Sequence, residues 1–585
     1  MLICKTTCFL GFTFSFFLFN SCKKEKEDLA LSSINDTENT ASSSLRIVNL
    51  GEYRHVIANG DTLTSMLDGQ TTSYFAKGHL EDIWSVPQQL IQEAKILTIG
   101  LTGMNEPAGY SDAREEEVNF DVDASQKNKD YYTLLPYGSG QPWVVPIDRD
   151  MTAPSDDTKF KIRVINLCKY LPGLPVNAPS PNGPVENLVG EISLAYADGT
   201  LVSPKTSNIS LSQRESEYIE LPYGTYQFKV LTADGRQVPG GVYGVNRNII
   251  RFNTFDPASS RINVYEDPAA TGVTYAPVKT YHPGGIYTIV VAPQFFGYYV
   301  AAKNLSIAVQ NQFKIIEDHE TLPVHGYGKI QVVNAYSEEG LTFKVNGEVF
   351  ATNVPYGSAS DYRIVKEGSY QVEVSDRSKA SLANVVYDLS TMQNQSIWLY
   401  RDREGKAQLK VLANDMSGEF YYERFPNDGT YNRYEHTMVF ATRFVNFCPD
   451  IPYASFTIDD GQDMRRYAQL FANNQYEMHR DEAMYNMKFA EPSVHLPYVR
   501  WRLDYDVFYK IMTYRSSEGV KLGEWAHDIP PLLSQGFIAN TNLYSNVGRR
   551  LPAAEPGVYT VALIGGSHGN SETMKAKLIT IKHNK

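Results

Sequence analysis

A short motif returns four times in this chain, and its spacing limits the fold more than any other feature. Leu45-Arg46-Ile47-Val48-Asn49-Leu50, Ile162-Arg163-Val164-Ile165-Asn166-Leu167, Ile330-Gln331-Val332-Val333-Asn334-Ala335 and Thr442-Arg443-Phe444-Val445-Asn446-Phe447 are variants of one string. Their asparagines lie 117, 168 and 112 residues apart. That is too long for solenoid units of about 20–50 residues and suits tandem domains of about 100–150 residues.

Further elements recur downstream. Pro-Tyr-Gly occurs at 222–224 and 355–357, and Leu-Pro-Tyr opens 496–498; a later related string occurs as GGIYTIVVAP at 284–293 and GVYTVALIGG at 557–566. Apolar and polar residues alternate in Tyr226-Gln227-Phe228-Lys229-Val230 and Tyr370-Gln371-Val372-Glu373-Val374, the period of a half-buried strand. Asn346-Gly347 between β-branched residues predicts a tight hairpin. Helical pattern is scarce, its best candidate being 85–94, with Ser85 as cap and Pro87 in the first turn. The chain therefore reads as all-β, a row of antiparallel β-sandwiches. The first repeat fits least well, because its Leu-Pro-Tyr-Gly at 135–138 falls about 90 residues beyond Arg46.

The amino terminus predicts where the protein goes. One early cation, Lys5, precedes an apolar run from Phe9 to Phe19, too short to cross a hydrocarbon core of about 30 Å. Leu18-Phe19-Asn20-Ser21-Cys22, followed by Lys23-Lys24-Glu25-Lys26-Glu27-Asp28, resembles a bacterial lipobox and the charged tether of Bacteroidota-type surface lipoproteins. The resemblance implies acylation of Cys22, anchoring in the outer membrane and exposure at the cell surface. More than one acyl chain is what stable anchoring requires. The expected layout is a signal peptide over 1–21, a flexible stalk over 22–44, a β domain over 45–155, and sandwiches over 160–325, 328–430 and 440–585. With the signal removed and Cys22 acylated, only Cys168 and Cys448 remain. They sit at equivalent places in two repeats, so they are expected as buried apolar residues rather than a disulfide.

The combination of R-[VI]-[VI]-N, hydrophobic-P-Y-G and G-x-Y-x-V resembles an immunoglobulin-like repeat family of bacterial secreted and lipid-anchored proteins, one of those labelled domain of unknown function. The match is best over 329–412, reasonable over 161–293 and partial over 45–150 and 440–585. It implies tandem immunoglobulin-like sandwiches and a place in the cell envelope. It brings no catalytic residue with it.

Candidate chemistry is thin. Gly565-Gly566-Ser567-His568-Gly569 matches G-x-S-x-G but lacks the following helix and the later acid-then-histidine order of a nucleophile elbow, so a Gly-rich turn is expected. Glu317-Asp318-His319-Glu320 with His325 mixes imidazole and carboxylate without the spacing of a zinc helix, and reads as a solvated linker. Asp459-Asp460-Gly461-Gln462-Asp463 lacks the rest of a calcium loop. The acidic stretch 112–123 reads as a solvated loop or edge strand. No phosphate-cradling glycine motif is present, so neither a metal nor a cofactor is expected. A formal charge of −12 argues against nucleic acid as a partner.

Aromatic content is the one hint of binding. With 39 Tyr against 27 Phe, rings carrying a polar handle are abundant, and these suit wet interfaces as well as cores. Phe296, Tyr298 and Tyr299, and Tyr421 and Tyr422, are the candidate ligand-contacting rings. The expected function is non-enzymatic: a lipoprotein touching the membrane through its lipid and binding a glycan, another polymer or an envelope protein. The alternatives are a structural spacer or adhesion stalk, and an enzyme whose site is assembled across domains.

Overall fold

A computed structural model describes residues 42–104, 117–136, 142–172, 187–240, 279–300, 304–319, 326–414, 440–458, 485–491, 510–537, 557–566 and 571–585, apart from single positions within them, and the strands Thr254–Asp256, Arg261–Asn263, Arg465–Leu470, Gln475–Arg480 and Val499–Trp501. The chain is nearly all β and divides into two compact units. The first ends at Asp150 and holds the first motif; the second runs from Met151 to Lys585 and holds the other three.

Every motif forms a central strand, and the strand order around it is the same each time. Ser42–Asn49 lies between Ile83–Pro87 and Lys129–Thr133, with Val144–Asp148 at the edge. Lys159–Asn166 lies between Ile219–Pro222 and Ile286–Val300, with Asn304–His319 beyond. Tyr327–Ala335 and Phe440–Asn446 repeat the arrangement with Asn394–Arg401 and Gly557–Ile564 as their inner neighbours. In all four the motif strand runs parallel to that inner neighbour and antiparallel to the other. The first repeat thus keeps the common order, with Ile83–Pro87 in the place that the Pro-Tyr-Gly region fills elsewhere.

A second sheet faces each of these to enclose a core. In the third repeat it comprises Glu348–Thr352, Thr342–Val345, Gly368–Ser375 and Ser381–Leu389 in that order. Ile330, Val332, Ile397 and Leu399 of one sheet pack on Phe343, Val345, Val372 and Val374 of the other. Strands covered on both faces read as unbroken apolar runs, which is why the motif shows no clean alternation.

The motif asparagine ends its strand. The Asn334 amide donates to the carbonyls of Ser337 and Val354, both at 2.8 Å, while its Oδ1 accepts from Tyr336 and Ser337 N–H. Asn166 and Asn446 likewise tie down the chain that follows, each accepting from the N–H two residues on, at Cys168 and Cys448. A buried amide with four partners costs little to bury, and one without them costs a great deal.

The third and fourth repeats also share a seam. The outer faces of their motif sheets meet through Val333, Ala335, Trp398 and Leu412 on one side and Val445, Phe447, Ala562, Ile564 and Ile581 on the other. The Trp398 and Phe447 rings stack at 5.2 Å.

Several expectations are corrected. The helix spans only Gln88–Glu93, because Ser85, Val86 and Pro87 belong to a strand paired with Ser42–Asn49. Alternation in Tyr226–Val230 does not mean a solvated face: Gln227 and Lys229 are buried, and the Gln227 N–H donates to the Lys585 carbonyl, so the carboxyl-terminal residues cover that side. Asn346 and Gly347 do form the tight hairpin turn, both with positive φ.

Candidate functional site

The sequence-derived candidates fare unequally. Cys22, Tyr421, Tyr422, Ser567, His568, Glu320, His325 and 459–463 lie outside the described residues. Phe296, Tyr298 and Tyr299 lie near the tip of a long hairpin formed by Ile286–Val300 and Asn304–His319. Its ladder continues for nine pairs past Val291, the last residue in register with the motif strand. Phe296, Tyr298 and Tyr299 pair through their backbone with Ala308, Ser306 and Leu305 in that ladder, and their side chains lie outside what the structure describes.

The Glu317–His319 segment is not a linker but the end of the hairpin's return strand. Asp318 is buried and accepts from Thr288 Oγ1 at 2.5 Å and Tyr218 OH at 3.4 Å; Glu317 pairs with Lys279. Both carboxylates therefore serve the framework. The acidic stretch ends as the edge strand Val118–Asp123, as charge on an exposed edge would favour. Among the described residues no three His, Cys, Asp or Glu side chains gather in a way that would hold a metal.

Cys168 and Cys448 are free, buried and embedded in the cores of different repeats. Burial pushes both thiols up to about 12, which removes the thiolate that reactivity needs. A further buried polar group is His583, just past the last strand. Its Nδ1 lies 3.1 Å from Gln331 Nε2 and 3.0 Å from Tyr362 OH, and its Nε2 lies 2.7 Å from Thr560 Oγ1. Gln331 Nε2 can only donate, so Nδ1 accepts and Nε2 carries the proton toward Thr560. Burial first, and the neighbouring Arg443 second, hold this imidazole well below its usual pKa. Its nitrogens are engaged by the seam between the third and fourth repeats, so it acts as structure rather than as a general base.

One exposed arrangement differs from all of these. Glu524–Trp525 is a two-residue edge strand paired with Ile511–Ser516, Trp525 opposite Tyr514 and Glu524 opposite Arg515. Trp525 is 41% exposed, whereas Trp84 and Trp398 are buried. The exposed His527 ring lies 4.0 Å from the Trp525 ring at 45°. Buried Ala526, between the two rings in sequence, and buried Ile529 after them anchor the segment in the fourth core. Ala526 N–H donates to Thr513 and Ile529 N–H to Ala526. Asp528 accepts from both terminal nitrogens of Arg515, at 2.6 Å each, and that guanidinium holds its carboxyl below the ordinary range.

Sequence reading passed over this site because a lone tryptophan followed by Ala-His-Asp carries no periodic signal. The pattern apolar-x-x-apolar at Ala526 and Ile529, which leaves the residues around it facing outward, was the available clue.

Residues 328–419 match a family described as a domain of unknown function (DUF4397), over the repeat where the family resemblance is best. No curated protein matches the chain. Among solved structures, the Bacillus anthracis TIE protein is similar at 12% identity over 61% of this chain, with a TM-score of 0.09, a likeness too slight to carry an argument. The aligned part spans 49% of that structure's chain.

Proposed function

We propose that this protein is a lipid-anchored, non-enzymatic binding protein of a bacterial outer surface, in which tandem immunoglobulin-like sandwiches present a ligand-contacting surface. The observation that supports this reading is the exposed Trp525–His527 pair, held rigid by two core anchors on a sheet edge. A rigid, half-exposed aromatic pair leaves little conformational freedom to lose when a ligand arrives. Four polar groups with chemical potential, His583, Asp318, Cys168 and Cys448, are committed to framework contacts or buried.

The test is a binding screen of the full chain in detergent, against a polysaccharide panel and against purified envelope proteins of the producing cell. Saturable binding to one class supports the reading. No binding to either panel overturns it in favour of a spacer, and turnover of a panel member overturns it in favour of an enzyme. The anchor is tested separately: Cys22→Ala should abolish palmitate incorporation, and label persisting in that variant would refute acylation at Cys22.

A further inference from the structure

The repeats of the second compact unit do not all meet in the same way. The third and fourth share the apolar seam of Trp398, Phe447 and their neighbours. The second keeps a core of its own, built from residues between Phe160 and Ile315, and the contacts that join it to the other two are of another kind. Tyr327 OH of the third repeat donates to Asp157 Oδ2, just before the motif strand of the second, at 2.8 Å. Lys329 holds its Nζ 4.9 Å from the centroid of the Tyr223 ring, and a Cβ on the adjacent Gly224 would meet that Nζ at 2.0 Å.

The carboxyl-terminal residues close this joint. Past Lys582 the chain still follows its neighbour in the fourth repeat: His583 N–H donates to the Val558 carbonyl at 2.9 Å, and Asn584 Oδ1 accepts from Val558 N–H at 2.7 Å. Lys585 then changes partner. Its N–H donates to the Thr225 carbonyl at 3.3 Å and its carbonyl accepts from Gln227 N–H at 2.6 Å. Two bonds from one residue to the positions either side of Tyr226 are the pattern of a parallel strand pair, here made between the fourth repeat and the second.

We propose that this joint is an elbow: the third and fourth repeats stay together as one rigid piece, and the second moves away from them as a folded unit when the Lys585 clasp lets go. Release leaves both the core of the second repeat and the apolar seam whole. It therefore exposes little apolar surface, whose burial is what holds the other seam shut. Relative movement is the ordinary behaviour of domains joined by polar contacts. The elbow does not depend on which ligand the protein takes, so its failure would leave the binding reading untouched.

The buried polar groups of the joint push toward release. The Tyr223 hydroxyl and the Asn584 amide nitrogen are buried and have no hydrogen-bond partner among the described residues, so each gains water on opening. Lys229 is buried at the joint, where its charge interacts with Lys582 of the fourth repeat and with Asp198 of its own. Burial holds its amine down at about 7, a penalty that release relieves. Lys329 is held down at about 7 by burial first and by the Lys585 charge second. Against these stand the two backbone bonds of Lys585 and the Tyr327–Asp157 bond, which can break while each repeat stays folded.

The experiment is native-state hydrogen exchange of the full chain in detergent, read at the Gln227 amide in wild type and in Tyr327→Phe. That amide should exchange at least about a hundred times faster than the amides of Lys159–Asn166 in the same repeat, because the elbow opens without unfolding the core. Tyr327→Phe removes the bond to Asp157, which is remote in sequence from the clasp. It should speed exchange at Gln227 about fivefold and leave the Lys159–Asn166 amides as they were. Exchange at Gln227 that does not respond to Tyr327→Phe would show the carboxyl-terminal residues fraying by themselves, and would overturn the elbow. Protection at Gln227 equal to that of the central strand would overturn it as well, since the second, third and fourth repeats would then be one body.

Discussion

Arg443 and Thr560 are register partners across the parallel pair of the fourth repeat, and the Arg443 guanidinium donates to Thr560 Oγ1 at 2.9 Å. The same two positions are filled by Arg46 and Asp130 in the first repeat, Arg163 and Thr288 in the second, and Gln331 and Ser396 in the third, hydrogen-bonded in every case. The polar residue that opens the motif is thus a lateral tie on the outer face of a sheet whose inner face is apolar. A long polar side chain there can be buried because its neighbour in register supplies the partner.

This tie matters most where two outer faces meet. Trp398 is fully buried in the seam between the third and fourth repeats, and its Nε1 has no hydrogen-bond partner among the described residues. Trp398→Phe should therefore cost little, since it keeps the stack on Phe447 and removes an unsatisfied donor. Trp398→Ala should cost about 3–5 kcal/mol through the cavity it leaves. Urea unfolding checks both, and equal midpoints for the two variants would contradict the stacking account.

The motif asparagine makes a sharper claim. Asn334→Ala removes four hydrogen bonds and leaves the Ser337 and Val354 carbonyls without their donor, an expected loss of about 1–3 kcal/mol. Asn334→Asp should be worse at pH 7, because a carboxylate would face those same carbonyls. A midpoint for the aspartate variant at or above that of the alanine variant would show that the side chain is not the strand-ending tie.

Much of the architecture was legible because strands and turns leave local marks. Asn346-Gly347, the repeated Asn and the alternating strand Tyr370–Val374 could each be read from a few neighbouring residues, but the parallel pairing of each motif strand, which joins segments far apart in sequence, could not. What escaped was long-range. Gln227 and Lys229 alternate like surface residues, yet the Lys585 segment covers them from 358 residues away in the case of Gln227, a separation no local pattern records. The exposed Trp525–His527 contact escaped for a related reason: its position is set by where Ala526 and Ile529 dock, which only the fold decides.

Gly347 offers a clean test of turn chemistry. Its φ is 83°, and a Cβ there would meet nothing within 4 Å. Gly347→Ala should therefore destabilise by conformation alone, about 1–2 kcal/mol, without a steric clash. Gly347→Asn, which tolerates the left-handed region better, should recover a large part of that loss in thermal unfolding. Alanine and asparagine variants of equal stability would mean that the turn does not hold this geometry.

The last prediction concerns acid. His583 is neutral in the folded chain, accepting from Gln331 and Tyr362 at Nδ1 and donating to Thr560 at Nε2. Burial and the Arg443 guanidinium, which shares Thr560 Oγ1 with the imidazole, both oppose a second proton. The unfolded chain has no such constraint and takes up that proton near pH 6.5. Below that value the unfolded state binds more protons than the folded one, so stability contributed by the neutral imidazole is complete above about pH 6.5 and declines as pH falls toward the lowered folded value. The unfolding midpoint should fall between pH 7 and pH 5, and more steeply than in His583→Gln, which keeps polar atoms in the seam but cannot titrate. Parallel pH profiles for wild type and His583→Gln would show that the imidazole does not bear the acid sensitivity of the joint between the third and fourth repeats.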